Sequence, residues 1–401
     1  MAPVIHNRLR RGGRTVLAAA GATVVLGLAG CSIDLSNLRP GGGEEEPSPE
    51  PAEPVAAAPL VEQALTDLAG YQGLVATGQV AESVGADVRD ASLTVADGGA
   101  ANGTIRSGSI EADLISADGR IFIRALEDFW LDQGVFAPDF DEFGGNWVRA
   151  SGAQAGIDPS AVLAPPVLAE ILGGIELESD EAVEENLDGT LTHRVDLAGE
   201  RNQIWIDAES GQIKRIAIEE LVAPEAESGP QVRLDLAEAD TAAVEELYDG
   251  VIAATTDELG SSRDARIEVG WEGQAEMTCE DGPNCTWSGT VRDAAGTGSG
   301  TVAVRMDVTF SNSEIGEQTC DDSGNLEAGG TLDLSCSADY NIVSQTQQTY
   351  TIDGNATLST RGLPGSQQES MLEALNEQRE ATLSGGGEPA GEESEEDGGG
   401  N

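Results

Sequence analysis

Aromatic side chains are scarce in this chain: Phe, Trp and Tyr together make up 4% of its 401 residues. Hydrophobic residues nevertheless reach 39%, so its cores must be built mostly from aliphatic side chains. Length alone predicts two or three domains. Lysine is rarer still. Lys214 is the one lysine among 21 cations, set against 72 acids, and the formal net charge is −51. Such a field repels nucleic acid and anionic lipid headgroups and excludes both as charge-driven partners. Histidine occurs twice, at His6 and His193. There is no G-x-S-x-G elbow, no phosphate-cradling glycine loop and no H-E-x-x-H pair, so the signatures of the common hydrolase, nucleotide and zinc-protease chemistries are missing. No apolar run is long enough to span a bilayer comfortably as a helix.

What is present begins with a short apolar segment, Thr15 to Cys31, preceded by Arg8, Arg10, Arg11 and Arg14 with no acid among them. A basic start, a short apolar core and small residues before a cut are the parts of a secretory signal. Losing residues 1–30 removes four arginines and carries the mature net charge to about −55. The tetrad Leu28-Ala29-Gly30-Cys31 resembles the lipobox of bacterial lipoproteins, in which the cysteine is acylated and becomes the first mature residue. That resemblance implies a diacylglycerol and palmitate anchor on Cys31 and a location on the outer face of the cytoplasmic membrane, in the cell envelope. Residues 31–59 follow as an acidic, proline-rich tether, GGGEEEPSPEPAEP at its centre, which composition predicts to be extended and disordered.

Four of the five cysteines remain once Cys31 is assigned to the anchor: Cys279, Cys285, Cys320 and Cys336. An even remainder in an exported chain predicts two disulfides, with three connectivities open. The local closures Cys279–Cys285 and Cys320–Cys336 are the expected pair. A zinc site competes, although no C-x-x-C pair or neighbouring histidine supports it.

Residues 60–236 open with an amphipathic helix, LVEQALTDLA, and then read as short strands punctuated by DG, GG and NG turns. A helical insert begins at Asp158 and Pro159, runs to Gly173-Gly174, and is divided by Pro165-Pro166. The stretches PLVEQALTDLAGYQGLVATGQV, DGRIFIRA with FW and NWVRAS behind it, and IWIDAESGQIKRIAI carry a resemblance to actinobacterial envelope lipoproteins of the LppX/LprG type. These share the half-barrel of the LolA and LolB carriers. The resemblance implies an antiparallel half-barrel with helices on one side and a cavity for a lipid. The long acidic segment ALEDFWLDQGVFAPDFDEFGG departs from that pattern.

Residues 237–262 contain a second amphipathic helix, with Val244, Leu247, Tyr248, Val251 and Ile252 on one stripe. Residues 263–361 switch to period two. Val302, Val304, Met306, Val308 and Phe310 alternate with polar or small neighbours, and six or seven such short strands predict a β-sandwich. CEDGPNCTWSGTV and TCDDSGNLEAGGTLDLSC resemble segments of bacterial Ig-like modules. Residues 362–401 are expected to hold a short helix, Gln367 to Leu383, and then an acidic disordered tail. The fold class expected is therefore α+β followed by an all-β module.

His193 shares a strand face with Leu191, Val195 and Leu197 and is expected to point inward, as a core or pocket-lining group. Asp139, Asp141 and Asn146 offer oxygens for weak calcium binding without EF-hand spacing. Five of the six phenylalanines and two of the five tryptophans fall between Phe122 and Trp147. From this concentration Ile121, Phe122, Ile123, Phe129, Trp130, Phe136 and Trp147, with His193 and Trp205, are the expected lining of an apolar ligand cavity. The function expected is non-enzymatic: a lipid-anchored lipoprotein that binds or ferries a lipid, without cofactor. The competing expectation is a tethered protein-interaction or sensing module with no ligand cavity.

Overall fold

The computed structural model describes residues 55–224, 226–279, 284–342 and 346–385. The signal segment, Cys31 and most of the tether lie outside the described residues, as does the acidic end of the chain.

The first module starts with a two-residue strand β1 (Val55–Ala56) and helix α1 (Ala57–Ala69), whose Val61, Ala64 and Leu68 are buried on one stripe. A meander follows: β2 (Gly73–Ala81), β3 (Arg89–Ala96), β4 (Ala101–Ser107), β5 (Ile110–Ala117) and β6 (Arg120–Arg124). After α2 (Glu127–Asp132) and β7 (Trp147–Ala150) come three short helices, α3 (Gly152–Ala155), α4 (Pro159–Val162) and α5 (Pro165–Gly173). Their boundaries follow local chemistry. Ser151 and Gln154 form a reciprocal capping box on α3, and the Asp158 carboxylate accepts from Ala161 N with Pro159 in the first turn of α4. Pro165-Pro166 separates α4 from α5, as the sequence predicts.

A second meander, β8 (Glu181–Leu187), β9 (Thr190–Asp196), β10 (Gln203–Asp207), β11 (Ile213–Ile218) and β12 (Gln231–Glu238), returns to pair β12 with β2. The result is one sheet in the order β1-β8-β9-β10-β11-β12-β2-β3-β4-β5-β6-β7-β13, where β13 is Arg263–Asp264 and pairs parallel with β7. All other pairings in this sheet are antiparallel. Two strand glycines let neighbours approach: a Cβ on Gly78 would lie 2.2 Å from Arg233 O, and one on Gly103 2.1 Å from Ser92 O, both at positive φ.

The two faces of the sheet carry separate cores. The face here termed inner packs Leu74, Leu93, Leu114, Ile123, Ile204, Ile216 and Leu234 against α1 and α3–α5. The outer face packs Ile115, Phe122 and Trp147 against α6 (Thr241–Asp257) and the late helix α7 (Gly365–Gly385). The helices within residues 60–236 lie on one side of the sheet, and α6 and α7, from later in the chain, lie on the other. The cause is visible in the side chains, since Ile121-Phe122-Ile123 presents large apolar groups to both faces, and the stripe Val244, Leu247, Tyr248 and Val251 covers the outer one.

Between α6 and α7 lies the second module, β14 (Val269–Trp271), β15 (Glu276–Cys279), β16 (Asn284–Asp293), β17 (Thr301–Asn312), β18 (Gly316–Glu327), β19 (Thr331–Asp339) and β20 (Asp353–Arg361). β14 and β15 pair with successive lengths of β16, and β19 runs along its other side. The second sheet is β18-β17-β20. Val302, Val304, Met306, Val308 and Phe310, all at most 1% exposed, fill the space between the sheets with Ile267, Val291 and Leu334. Both local disulfides are present: Cys279–Cys285 closes the β15–β16 hairpin, and Cys320–Cys336 joins β18 to β19 across the two sheets.

Candidate functional site

The residues expected to line one cavity are divided among five environments. Ile121, Ile123, Phe129 and Trp130 belong to the inner core and are at most 3% exposed. Phe129 meets Trp130 edge-on at 5.2 Å, and Trp130 meets Phe143 edge-on at 5.6 Å. These are packing geometries of a filled interior. Phe122 and Trp147 lie in the outer core under α6, where the Trp147 indole N–H donates to Glu258 at 2.9 Å and Arg124 stacks on its ring at 4.6 Å. Phe136 is 62% exposed. His193 sits half-buried on β9 opposite Ile206 and Glu184, on the same face as Val195. Trp205, although nine-tenths buried, stands on the outer face of β10 between Arg194 of β9 and Arg215 of β11. The expected single apolar site is thus corrected: strand alternation sends Ile121 and Phe122 to opposite faces, and Trp205, on the same face as Phe122, stands on β10, seven strands away from β6 in the sheet.

The oxygens that offered weak calcium binding as a minor alternative are spent otherwise. The Asp139 carboxylate accepts from Thr360 N at 2.8 Å and Thr360 Oγ1 at 2.9 Å, and Arg263 Nε lies 3.6 Å away. Asn146 donates to Glu142 O, and Asp141 is exposed. Among the described residues no group of His, Cys, Asp or Glu side chains could hold a metal ion.

Asp139 belongs instead to a buried polar junction between the modules. Asp264, fully buried, receives two hydrogen bonds from the Arg266 guanidinium and one from its backbone N–H, and burial pushes its carboxyl up against the opposing pull of Arg266. Asp264 N donates to Thr360 Oγ1 at 2.8 Å. Arg149 donates to Gly362 O at 3.3 Å, and burial with the nearby Arg266 charge lowers its guanidinium to about 10. No local pattern in the sequence marks this junction, because Asp139 and Thr360 are 221 residues apart and Asp264 lies 96 residues from Thr360.

No protein-family model matches the chain. A search of curated proteins finds no match either. Among solved structures the chain is similar to LprF from Mycobacterium bovis, at 12% identity and a TM-score of 0.30, over 46% of this chain and 96% of that one. It is similar also to MucB at 12% identity and a TM-score of 0.24, over 67% and 93% of the two chains, and to MucB in complex with MucA(peri) at a TM-score of 0.21.

Several openings mark the surface. An apolar groove of about 580 Å³ runs between α1 and α5, bordered by Val61, Leu65, Ala169, Leu172, Ile175 and Leu177. A cleft of about 460 Å³ lies on the outer face over β2 and β10–β12, with Trp205 in its wall. Among the described residues no helix is long and apolar enough to cross a membrane.

Proposed function

We propose that the protein is a non-enzymatic lipoprotein of the cell envelope, lipid-anchored through Cys31, whose folded part is a protein-docking body presented on a tether. The observation that carries this reading is the filled inner face: α1, α3–α5 and the Phe129, Trp130 and Phe143 cluster occupy the side of the sheet where a resident lipid would have to lie. A second support is rigidity. Two modules held by a buried junction and by α6 and α7 present one fixed surface, which suits recognition of a partner better than enclosure of a mobile cargo. Kinship of the second module with bacterial Ig-like modules fits the same reading and draws on its seven antiparallel strands in two sheets.

The test is crosslinking of the full-length protein in intact envelopes beside a control carrying only the signal and tether. One envelope protein captured in near-stoichiometric amount, and rebinding when both are purified, is the expected result; equal capture by the control would overturn it. Cys31→Ala tests the anchor separately, with release from the membrane fraction or stalled processing expected.

The groove between α1 and α5 favours a second reading, lipid carriage, in which displacement of α1 opens the inner face to an acyl chain. Burial of apolar surface at about 25 cal/mol per Å² makes such binding affordable. Native mass spectrometry of detergent-free protein distinguishes the two: a co-purifying lipid supports carriage and counts against the docking reading.

A further inference from the structure

We infer that the outer-face cleft over β2 and β10–β12 is a binding site for a neutral saccharide. The cleft exists because one row of outward side chains has a gap. Across β10, β11, β12 and β2 that row reads Gln203, Ala217, Arg233 and Gln79, with Ala217 opposite both Gln203 and Arg233. A methyl group between three long side chains leaves a depression, and Ala81 opposite Gln231 extends it along the next row. The opening of about 460 Å³ falls within the usual range of roughly 300–1,000 Å³ for small-molecule pockets.

Its lining is matched to hydroxyl groups. Gln79, Gln203 and Gln231 each carry donors and an acceptor on a planar amide, the combination that pairs with sugar hydroxyls in either sense. Gln203 is oriented by its Nε2 donating to Asp196 at 2.8 Å, which commits part of its amino group and turns its carbonyl oxygen to other use. Among the described residues the side chains of Gln79, Gln231 and Arg233 make no hydrogen bond or ion pair. The apolar part of the wall that carbon-bound faces of a pyranose need comes from Val88, 55% exposed, beside the small uncovered part of Trp205, whose ring lies between Arg194 and Arg215, themselves ion-paired to Glu185 and to Asp188 at 3.1 and 2.9 Å.

Charge selects against the other ligand classes. In a chain of net charge −51 the cleft is locally balanced, with Arg201 and Arg233 set against Glu200 and Glu219, and Arg201 lies 3.9 Å from Glu219. An anion would meet both glutamates and the surrounding field, while a cationic peptide would meet both arginines. A neutral ligand rich in hydroxyls meets no penalty. α6 and α7 stop short of this half of the outer face, packing over β3 and β4 and their neighbours, so access is open. The inference does not rest on the docking function proposed above.

The test is isothermal titration of the full-length protein, in a detergent without a sugar headgroup, with cellotriose, maltotriose and chitotriose as probes. Binding of at least one trisaccharide is expected, weakened about tenfold or more by Ala217→Gln, which fills the gap, with an unchanged melting curve. Gln231→Ala, opposite Ala81 in the same cleft, is the second variant should Ala217→Gln disturb the sheet, and the same loss is expected. Absence of binding by all three probes overturns the inference. So does equal binding by both variants, or displacement of the sugar by inorganic phosphate, which would mark an anion site at the two arginines.

Discussion

Both crossings of the chain between the two modules converge on one carboxylate. The outbound crossing passes Arg263 and Asp264, the return crossing passes Thr360 and Gly362, and Asp139 contacts both. Its side chain is 2% exposed, and that of Arg263 is 13% exposed. Asp139→Ala strands Thr360 N–H and Oγ–H without their acceptor in a buried place. Breaking one side of a buried charged pair costs about 3–5 kcal/mol. The lower end applies here, because Arg263 keeps Glu142 and the Thr360 carbonyl as partners. Asp139→Asn preserves an amide oxygen for Thr360 and removes only the charge, so it is expected to cost roughly half as much, in the range of about 1–2 kcal/mol for weakened hydrogen bonds. Urea unfolding followed by far-UV circular dichroism and by tryptophan fluorescence measures both. A double-mutant cycle with Thr360→Val isolates the contact, with coupling above about 1 kcal/mol expected for side chains that touch. If Asp139→Ala unfolds within about 0.5 kcal/mol of the parent, or if the cycle shows no coupling, the junction does not hold the modules together and the reasoning fails.

Three further outcomes follow from local chemistry. Replacing Cys320 and Cys336 by Ala, across a sequence separation of 16, is expected to cost about 3 kcal/mol, and replacing Cys279 and Cys285, separated by 6, about 2 kcal/mol, as loop-closure entropy scales; calorimetry should show both losses in the second module alone. Gly78→Ala, whose methyl would meet Arg233 O at 2.2 Å, is expected to lose about 2–4 kcal/mol, whereas Gly119→Ala, at positive φ in open space, should lose only about 1–2 kcal/mol; equal losses in urea titrations would contradict the close-approach argument. Burial pushes the Tyr71 phenol up to about 12, reinforced by Glu238 and Asp67, and burial raises Tyr248 and Tyr340 as well. The folded state thus favours the protonated phenol, so this contribution is complete below pH 10 and is lost as pH rises through about 12; absorbance at the phenolate band should develop later in the folded protein than in urea.

How far the sequence could be read depended on whether a signal was local. Proline and cap chemistry at Asp158, Pro159 and Pro165-Pro166 located the inner helices, and the alternation from Val302 to Phe310 located β17, since both are written within a dozen residues. β18 was not legible: GEQTCDDSGNLE has the composition of a loop, and it is held extended by twelve registered positions against β17 and by the bond from Cys320 to Cys336. The sequence predicts α7 as a short helix of a tail, whereas its Met371 and Leu375 are fully buried against α6, and its Thr382 meets Tyr248 at 3.1 Å. The candidate site failed for the same reason in reverse. Density of aromatics in sequence suggested one pocket, while the pleat of β6 divided those side chains between two cores. The cleft at Ala217 is completed by β2, whose Gln79 stands opposite Arg233 of β12 although the two are far apart in the chain. A pattern of period two tells which way each side chain points, and only the pairing of strands tells what it points beside. For a sheet whose two meanders are joined by pairing β12 with β2, that pairing is a property of the whole chain, so any surface site built across the seam could be found only once the strand order was known.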